Sequence, residues 1–372
     1  MFLALRDLRH ARGRFTLMSV VLVLVALLVT FLASLTAGLA RASTSAVTDL
    51  PADRLALAEP DGAALSFTGS QVTQDQWRAW GDRDGIARAE PLGIATVRAT
   101  VTSRAADARA AATQAVTAFG VEPGSRLVPD GRGGDVETGS LVLSHGAAKA
   151  LDARAGDQVD VQGESLRVAA VVADDADYSH TPVVWVELGA WQAFGAHGTG
   201  GDPAATAVAL WAAPEADDAT FAAGDDALGT RSVTLSAARS AVGSFTAENL
   251  SLTVMQAFLL AISALVVGAF FTVWTMNRAG DLAVVKALGG ATSYLVRDAL
   301  GQALVVLVAG VGLGTGLAAV GAALARDAVP VVVAAPTFLV PAALLVVLGM
   351  VGAAAAVWRI TSVDPHAALQ AR

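Results

Sequence analysis

Apolar residues gather in four long runs along the chain, separated by polar stretches of unequal length. The runs cover residues 15–40, 252–276, 303–325 and 337–358, and none contains an Asp, Glu, Lys or Arg. A helix needs about 20 apolar residues to cross the hydrocarbon of a bilayer. The pattern therefore predicts four transmembrane helices, at 15–40, 251–276, 299–325 and 337–358. A composition of 54% hydrophobic and 16% charged residues agrees with a membrane protein.

The polar segments between the runs set the orientation of the chain. Arginines and lysine concentrate in three segments that four spans must place on one side of the membrane: 1–14, 277–298 and 359–372. Since cytoplasmic flanks retain positive charge, this side is expected to be the cytoplasm, with both termini there. Segment 1–14 is predicted to form an amphipathic helix at the inner surface of the plasma membrane. Residues 41–250 and the short link 326–336 are then extracytoplasmic.

The 210-residue segment 41–250 has the pattern of a large α+β domain. Segment 75–102 favours a helix followed by a strand, 150–175 favours a hairpin that turns at Gly163 and Glu164, and 181–195 favours a strand followed by a short helix. Segment 196–230 is rich in Gly, Ala and Asp and is expected to be partly loop. The chain contains no cysteine, which excludes disulfides from this domain. The fold class is therefore a membrane protein with four transmembrane helices and one extracytoplasmic α+β domain between the first and second.

Charge differs sharply between the two parts of the chain. Residues 41–250 hold 28 Asp and Glu against 15 Lys and Arg, a net of 15 − 28 = −13, whereas the rest holds 5 acids and 10 bases. Nucleic-acid binding needs a basic surface, so no nucleic-acid partner is expected. GxxxxGK[ST], HExxH and GxSxG motifs are all absent, and the five histidines are scattered. The chain is therefore predicted not to be an enzyme.

One of the two lysines of the chain lies in the polar break 277–298, between the second and third spans. The stretch "DLAVVKALGG" there predicts a short helix that ends at glycine. Its apolar residues fall mostly on one face, and its two charged residues lie elsewhere. The hydropathy pattern by itself is equally typical of an ordinary interfacial connector.

Three motifs, in order, resemble those of the FtsX-like and MacB-like permeases of ABC transporters. They are "ALRDLRHARGRF" near the N-terminus, "RAGDLAVVKALGGATSYLVRD" in the break and "WRITSVDPHAALQAR" at the C-terminus. The resemblance implies that the break is a coupling helix seated on a separate cytoplasmic ATPase subunit, and that two copies of the chain work with two copies of that subunit. ATP and magnesium would then bind to the partner, and this chain would bind no cofactor for catalysis. The coupling contacts would be Asp281, Leu282, Val285, Lys286 and Leu288.

The stretch "SFTAENLSLTVMQAFLLAISALVVGAFFTVWTMNR" is similar to the DevC-like and HrtB-like subgroup, which includes haem exporters. An acidic residue, Glu248, stands just before the second span, and Met255 follows seven residues later on the same helix face. A carboxylate or thioether at the membrane boundary could meet the iron or the propionates of a porphyrin, with Glu248 as a possible iron ligand. The alternatives are a Glu248 placed in a first helical turn for the helix dipole, and a Met255 that packs against lipid.

The resemblance implies efflux of an amphipathic compound from the membrane, with haem as the best single substrate. Two other functions stay open: a mechanotransmitter of the FtsX type, which would regulate an external cell-wall hydrolase, and a module for resistance to or sensing of antimicrobial peptides. Tyr178 and His180 are expected in a solvated turn rather than a ligand site. Five tryptophans are expected mainly in the core or an interface, and four glycines of the third span are expected to admit a neighbouring helix: Trp77, Trp80, Trp185, Trp191 and Trp211; Gly312, Gly314, Gly316 and Gly321.

Overall fold

A computed structural model describes residues 12–58, 64–103, 113–195, 203–277, 292–326 and 328–361. The chain divides into two compact units. The sheet unit is Ala40–Asn249, and the helical unit consists of Met1–Leu39 and Leu250–Arg372. Two helices run from one unit into the other, so the chain passes between the units inside regular structure.

The elements follow one another along the described residues in an α+β order. The first helix, α1, is Arg12–Thr48, and the last three, all in the second half of the chain, are α7 (Gly243–Asn277), α8 (Thr292–Ala325) and α9 (Ala335–Thr361). The strands and short helices between them are β1 (Arg54–Ala58), β2 (Val72–Thr73), α2 (Gln74–Gly81), β3 (Ile86–Ser103), β4 (Thr113–Val121), β5 (Ser140–Leu143), α3 (His145–Leu151), β6 (Gln158–Val161), β7 (Glu164–Val171), β8 (Asp177–Tyr178), β9 (Thr181–Glu187), α4 (Leu188–Ala193), β10 (Pro203–Ala205), β11 (Ala207–Ala212), α5 (Asp218–Leu228), β12 (Thr230–Thr234) and α6 (Leu235–Ala238).

The long strand β3 organises the sheet unit. Its first part pairs with β11, which continues through β1 to β12, and its second part pairs with β4. From β4 the order is β9, β5, β7 and β6, and β6 pairs back with the end of β3 at Ala99–Ser103. Six strands therefore form a closed ring, which leaves this part of the sheet without an open edge.

Alternate residues of the ring strands fill its interior. Small and branched side chains such as Ala95, Val97, Val159 and Val161 are buried there, and helices α3 and α4 contribute further apolar residues. A second core lies against the end of α1, where Ala46 and Val47 pack with aromatic and aliphatic residues of the strands. These two cores explain the predicted α+β domain, since alternation along a strand supplies one face to each layer.

Four helices, each with most of its length in the helical unit, are long and apolar enough to cross a membrane. Among the described residues these stretches are Ser19–Thr48, Gly243–Val273, Val296–Ala325 and Ala335–Trp358. Their contacts use small residues: a Cβ placed on Gly314 of α8 would lie 2.4 Å from the carbonyl oxygen of Val23 and 2.8 Å from Cβ of Ala26. Close backbone approach of this kind is the usual way for helices to associate in lipid.

The link between α8 and α9 is fastened to α1 within the helical unit. The N–H of Val332 donates to the carbonyl of Ser34 at 3.2 Å, and the Ser34 hydroxyl donates to the carbonyl of Val332 at 2.9 Å. Gly38 lies under this link, where a Cβ would meet the Pro330 carbonyl oxygen at 2.0 Å. Only glycine fits at that position without moving the link.

Several expectations from the sequence need correction in detail. The hairpin of β6 and β7 turns at Gln162 and Gly163, both with positive φ, rather than at Gly163 and Glu164. Segment 196–230 is partly loop as expected, at residues 213–217, but residues 203–212 are mostly strand and 218–228 form a capped helix, α5; residues 196–202 lie outside the described residues. Of the four glycines expected to admit a helix, Gly314 does so, whereas a Cβ at Gly312, Gly316 or Gly321 would meet nothing within 4 Å.

Candidate functional site

Ser179 and His180 form the two-residue turn at the tip of the hairpin between β8 and β9. Asp177 pairs with Pro182 and Tyr178 with Thr181, which leaves only two residues in the turn. Both have positive φ, 50° for Ser179 and 63° for His180. Two positive φ angles are what a type I′ hairpin turn requires, but the positions usually hold Asn and Gly. Other contacts must therefore hold this pair of residues in place.

The tip is held by the end of α1. The backbone N–H groups of Ser179 and His180 donate to the carbonyl oxygens of Ser43 at 2.9 Å and Ala42 at 3.0 Å. Two residues before the tip, in β8, the N–H of Asp177 donates to the Ser45 hydroxyl at 2.9 Å, and this hydroxyl donates to the Asp177 carbonyl at 3.3 Å. Ser43 and Ser45 are buried. The short serine-rich stretch at the end of α1 therefore serves as a hydrogen-bonding partner for the hairpin.

The same tip also reaches the start of α7. The hydroxyls of Ser179 and Ser244 are 2.8 Å apart, and Nε2 of His180 lies 2.8 Å from Oε2 of Glu248. Nε2 is also 2.9 Å from the Ser43 hydroxyl. His180 therefore contacts a residue of α1 and a residue of α7 with one ring nitrogen. We refer to Ser43, Ser179, His180, Ser244 and Glu248 as the tip cluster, and all five belong to the sheet unit.

The geometry at Nε2 decides what chemistry the tip cluster can perform. An ionised glutamate only accepts hydrogen bonds, so the His180 nitrogen that faces it must carry the proton. That nitrogen cannot then remove a proton from the Ser43 hydroxyl. In a Ser-His-acid catalytic triad, the serine and the acid use different ring nitrogens. The arrangement of Ser43, His180 and Glu248 thus fastens two helices together and does not activate a nucleophile.

The electrostatics beneath the tip centre on Asp177. Burial raises the pKa of Asp177 to about 6, and the nearby Asp175 carboxylate adds to the rise, whereas His180 and Arg41 lower it. Arg41 itself pairs with Asp49 at 2.8 Å. Burial also raises the pKa of the Tyr178 phenol. The region below the tip therefore penalises an added negative charge.

The predicted site residues have different outcomes. Glu248 is the sixth residue of α7, which begins at Gly243, so it lies beyond the first turn where the helix dipole acts. Its side chain is 44% exposed. Met255 lies further along α7, in the helical unit, and is 54% exposed. The residues expected to contact the ATPase lie outside the described residues: Asp281, Leu282, Val285, Lys286 and Leu288.

The expectation of a solvated turn was wrong for Tyr178, which is buried, and right for His180, which lies in the turn with a side chain that is 36% exposed. Tyr178 is 7% exposed and meets the rings of Phe67 and Phe119 edge-on, with centroids 6.0 and 6.4 Å away. His180 contacts both helices of the tip cluster. The tryptophans follow their prediction, since Trp80, Trp185 and Trp191 are fully buried. Within the described part of the chain, no group of three or more His, Asp or Glu side chains could hold a metal ion.

Sequence reasoning missed the tip cluster because its members lie far apart along the chain. His180 is 137 residues from Ser43 and 68 from Glu248. No short motif joins residues at such distances. The available signal was the stretch "RASTSA" at the end of the first span, where several hydroxyl groups follow an apolar helix and need partners.

Comparisons with known proteins agree with this architecture. A family model described as the MacB-like periplasmic core domain matches residues 15–224, which is more than half of the chain, and a model described as FtsX-like permease C-terminal matches residues 253–365. An uncharacterized ABC transporter permease of Mycobacterium tuberculosis is 27% identical over 82% of this chain and 81% of its own length. A protein of Staphylococcus haemolyticus, named as the hemin transport system permease HrtB, is 21% identical over 99% of both chains.

Among solved structures, the periplasmic region of MacB from Actinobacillus actinomycetemcomitans is similar over 51% of this chain and 92% of that chain, with 12% identity and a TM-score of 0.36. The two family models divide the chain as the two units do, with the core-domain model on the sheet unit and the helix before it, and the permease model on the last three long helices. The chain therefore belongs to the ABC transporter permeases that combine a MacB-like periplasmic core domain with an FtsX-like permease C-terminal domain.

Proposed function

We propose that this permease exports an amphipathic compound from the membrane, with haem as the substrate, and that it is driven by a separate cytoplasmic ATPase. The observation that carries the choice of substrate is Glu248, a half-exposed carboxylate at the start of α7. Support also comes from the resemblance over 99% of both chains to the relative named as a hemin permease. The haem would be cargo rather than a resident cofactor.

The surroundings of Glu248 offer two groups that could bind a porphyrin, but these two groups already bond to each other. An imidazole is a common haem-iron ligand, and His180 lies 2.8 Å from the Glu248 carboxylate, so two groups of suitable type stand together. In the structure they bond to each other. Iron that binds Nε2 of His180 or Oε2 of Glu248 would have to break this contact, whereas Nδ1 and Oε1 are not part of it. Met255, whose thioether is of a ligand type found in cytochromes, remains a separate prediction from the sequence.

The proposed assembly contains two copies of the permease and two ATPase subunits. Asp281 and Lys286 would contact the ATPase through their charges, and Leu282, Val285 and Leu288 would insert as apolar anchors. This assignment rests on the motif around Lys286 alone. Orientation of the chain, with residues 277–298 and both termini in the cytoplasm, is part of the same proposal.

The test is ATP hydrolysis by the full-length permease, reconstituted in lipid with its ATPase, with and without haem. The Soret spectrum of the permease is recorded in parallel. Stimulation by haem together with a shifted Soret band is the expected result, and both should be lost in Glu248→Ala. Glu215→Ala, which removes an exposed carboxylate from the sheet unit, is the matched control and should behave as the parent does. Met255→Leu, measured alongside, tests the thioether separately.

ATP hydrolysis that is indifferent to haem, with no bound porphyrin, would overturn haem as the substrate. The assay would then be repeated with other amphipathic compounds and with external proteins bound to the sheet unit. Stimulation by an external hydrolase would favour force transmission in place of transport.

A further inference from the structure

The Ser179–His180 tip contacts α1 and α7 in two different ways. On the α1 side, the hairpin uses mainly its backbone groups: the N–H groups of the tip bond to Ser43 and Ala42, and the N–H and carbonyl of Asp177 bond to Ser45. The contact of the His180 ring with the Ser43 hydroxyl adds to these bonds. Ser43 and Ser45 are 1% and 2% exposed. Breaking these bonds would leave buried backbone groups without partners, which is costly.

On the α7 side, the contacts join one side chain to another. They are the Ser179–Ser244 hydroxyl pair and the His180–Glu248 pair. The His180 and Glu248 side chains are 36% and 44% exposed, so water can replace either partner when they separate. Hydrogen-bonded side-chain pairs that are this exposed contribute little net stability. The α7 side of the tip cluster is therefore the side that gives way first.

We propose that the tip is a one-sided latch, permanently attached to the end of α1 and releasable from the start of α7. The hairpin and residues 42–45 of α1 then move as one body. Glu248 and Ser244 engage that body in the latched state and leave it in the released state. The proposal rests on hydrogen-bond type and burial and is independent of the identity of any transported compound.

Other groups around His180 act on the same contact. Arg41 and Ser43 belong to α1, Asp177 to the hairpin itself, and Glu248 to α7. Arg41 is engaged by Asp49, and Asp177 presents its backbone to Ser45. Among these described neighbours, Glu248 is the carboxylate that bonds the His180 ring, so its removal weakens the latch while the bonds to α1 remain.

The chain offers a direct way to lock the latch, because it contains no cysteine. The Ser179 and Ser244 hydroxyl oxygens are 2.8 Å apart, so Ser179→Cys/Ser244→Cys places two sulfurs where a disulfide can close. Reduction of the same variant supplies an unlocked control of identical sequence. Glu248→Ala supplies the weakened latch, and Glu215→Ala again serves as the matched surface variant.

The experiment is amide hydrogen exchange on the full-length permease in lipid nanodiscs, without haem or ATPase. Two sets of amides are compared: residues 247–249 of α7, and Ser179 with His180. Exchange at 247–249 should be about two- to fivefold faster in Glu248→Ala than in the parent, and slower by a similar factor in the oxidised double cysteine than in its reduced form. Exchange at the Ser179 and His180 amides should stay within about twofold throughout, because they remain bonded to α1.

Two results would overturn the proposal. If the Ser179 and His180 amides exchange faster in Glu248→Ala by the same factor as α7, then the tip leaves both helices as a unit. If oxidation of the double cysteine changes nothing at residues 247–249, then the native contact is permanent and does not release. The oxidised and reduced forms of the double cysteine, which keep Glu248 in place, cover the case in which Glu248→Ala folds poorly.

Discussion

The two units of this permease pack by opposite means. In the helical unit, backbones touch where side chains are smallest, as at Gly314 of α8 against Val23 and Ala26 of α1. In the sheet unit, three separate cores each contain a fully buried tryptophan: Trp80, Trp185 and Trp191. Lipid is as apolar as the helix surfaces, so helices in a membrane associate through close van der Waals packing rather than through apolar burial. In water, the burial of a large apolar area is the main source of stability. The same residue type should therefore matter differently in each unit.

The largest expected effect is the loss of a central tryptophan from the sheet unit. Trp185 of β9 is 2% exposed and belongs to the core beneath α1, so Trp185→Ala should destabilise the sheet unit by about 3 to 5 kcal/mol. Trp358 of α9 is 77% exposed, and Trp358→Ala should change the unfolding free energy by less than about 1 kcal/mol. Denaturant unfolding of the full chain in detergent measures both. Equal losses would contradict the contrast between the units.

The second expected effect comes from adding a side chain, rather than removing one, at a close contact of the helical unit. Gly314→Leu would drive a side chain into the backbone of α1 and should cost about 1 to 3 kcal/mol in the helical unit. Gly316→Leu adds the same atoms on the same helix, where a Cβ meets nothing within 4 Å, and should be nearly neutral. Thermal unfolding followed by size-exclusion chromatography separates the two. Similar melting temperatures for both variants would show that α8 does not rest on α1 at Gly314.

Hydropathy predicted the helices of the helical unit well, because the signal for each one lies within about 20 consecutive residues. The runs that begin at residues 15, 252, 303 and 337 each correspond to a long helix in the structure. Which glycine contacts a neighbour was not predictable in the same way. Gly312, Gly314 and Gly316 have the same chemistry, and only the rotation of α8 about its axis distinguishes Gly314.

The sheet unit was predictable in class and in some elements, but not in its connections. Alternation indicated β6 and β7, and a short apolar run indicated β9, yet the ring closes through pairing of β3 with β6, which no local pattern encodes. The sequence did not predict the tip cluster for the same reason. The exposed turn at His180 was predictable from its polar neighbours in sequence, but its partners, Ser43 and Glu248, were not, because they lie in helices distant along the chain.

The smallest expected effect lies beneath the tip, at Asp177. Its pKa is raised to about 6, mainly by burial and next by Asp175, so the folded sheet unit binds a proton there more tightly than the unfolded chain does. Stability is therefore lost as pH rises from near 3.8, the ordinary value, through 6, and the penalty is full above 6. Asp177→Asn should raise the free energy of unfolding, measured by denaturant unfolding at pH 7.5, by no more than about 1 kcal/mol, because solvent screens a partly exposed group. The gain should have largely disappeared at pH 4. Asp175→Asn, which removes only the second cause, should give a smaller gain in the same direction, and an equal gain for Asp177→Asn at both pH values would mean that ionisation is not its source.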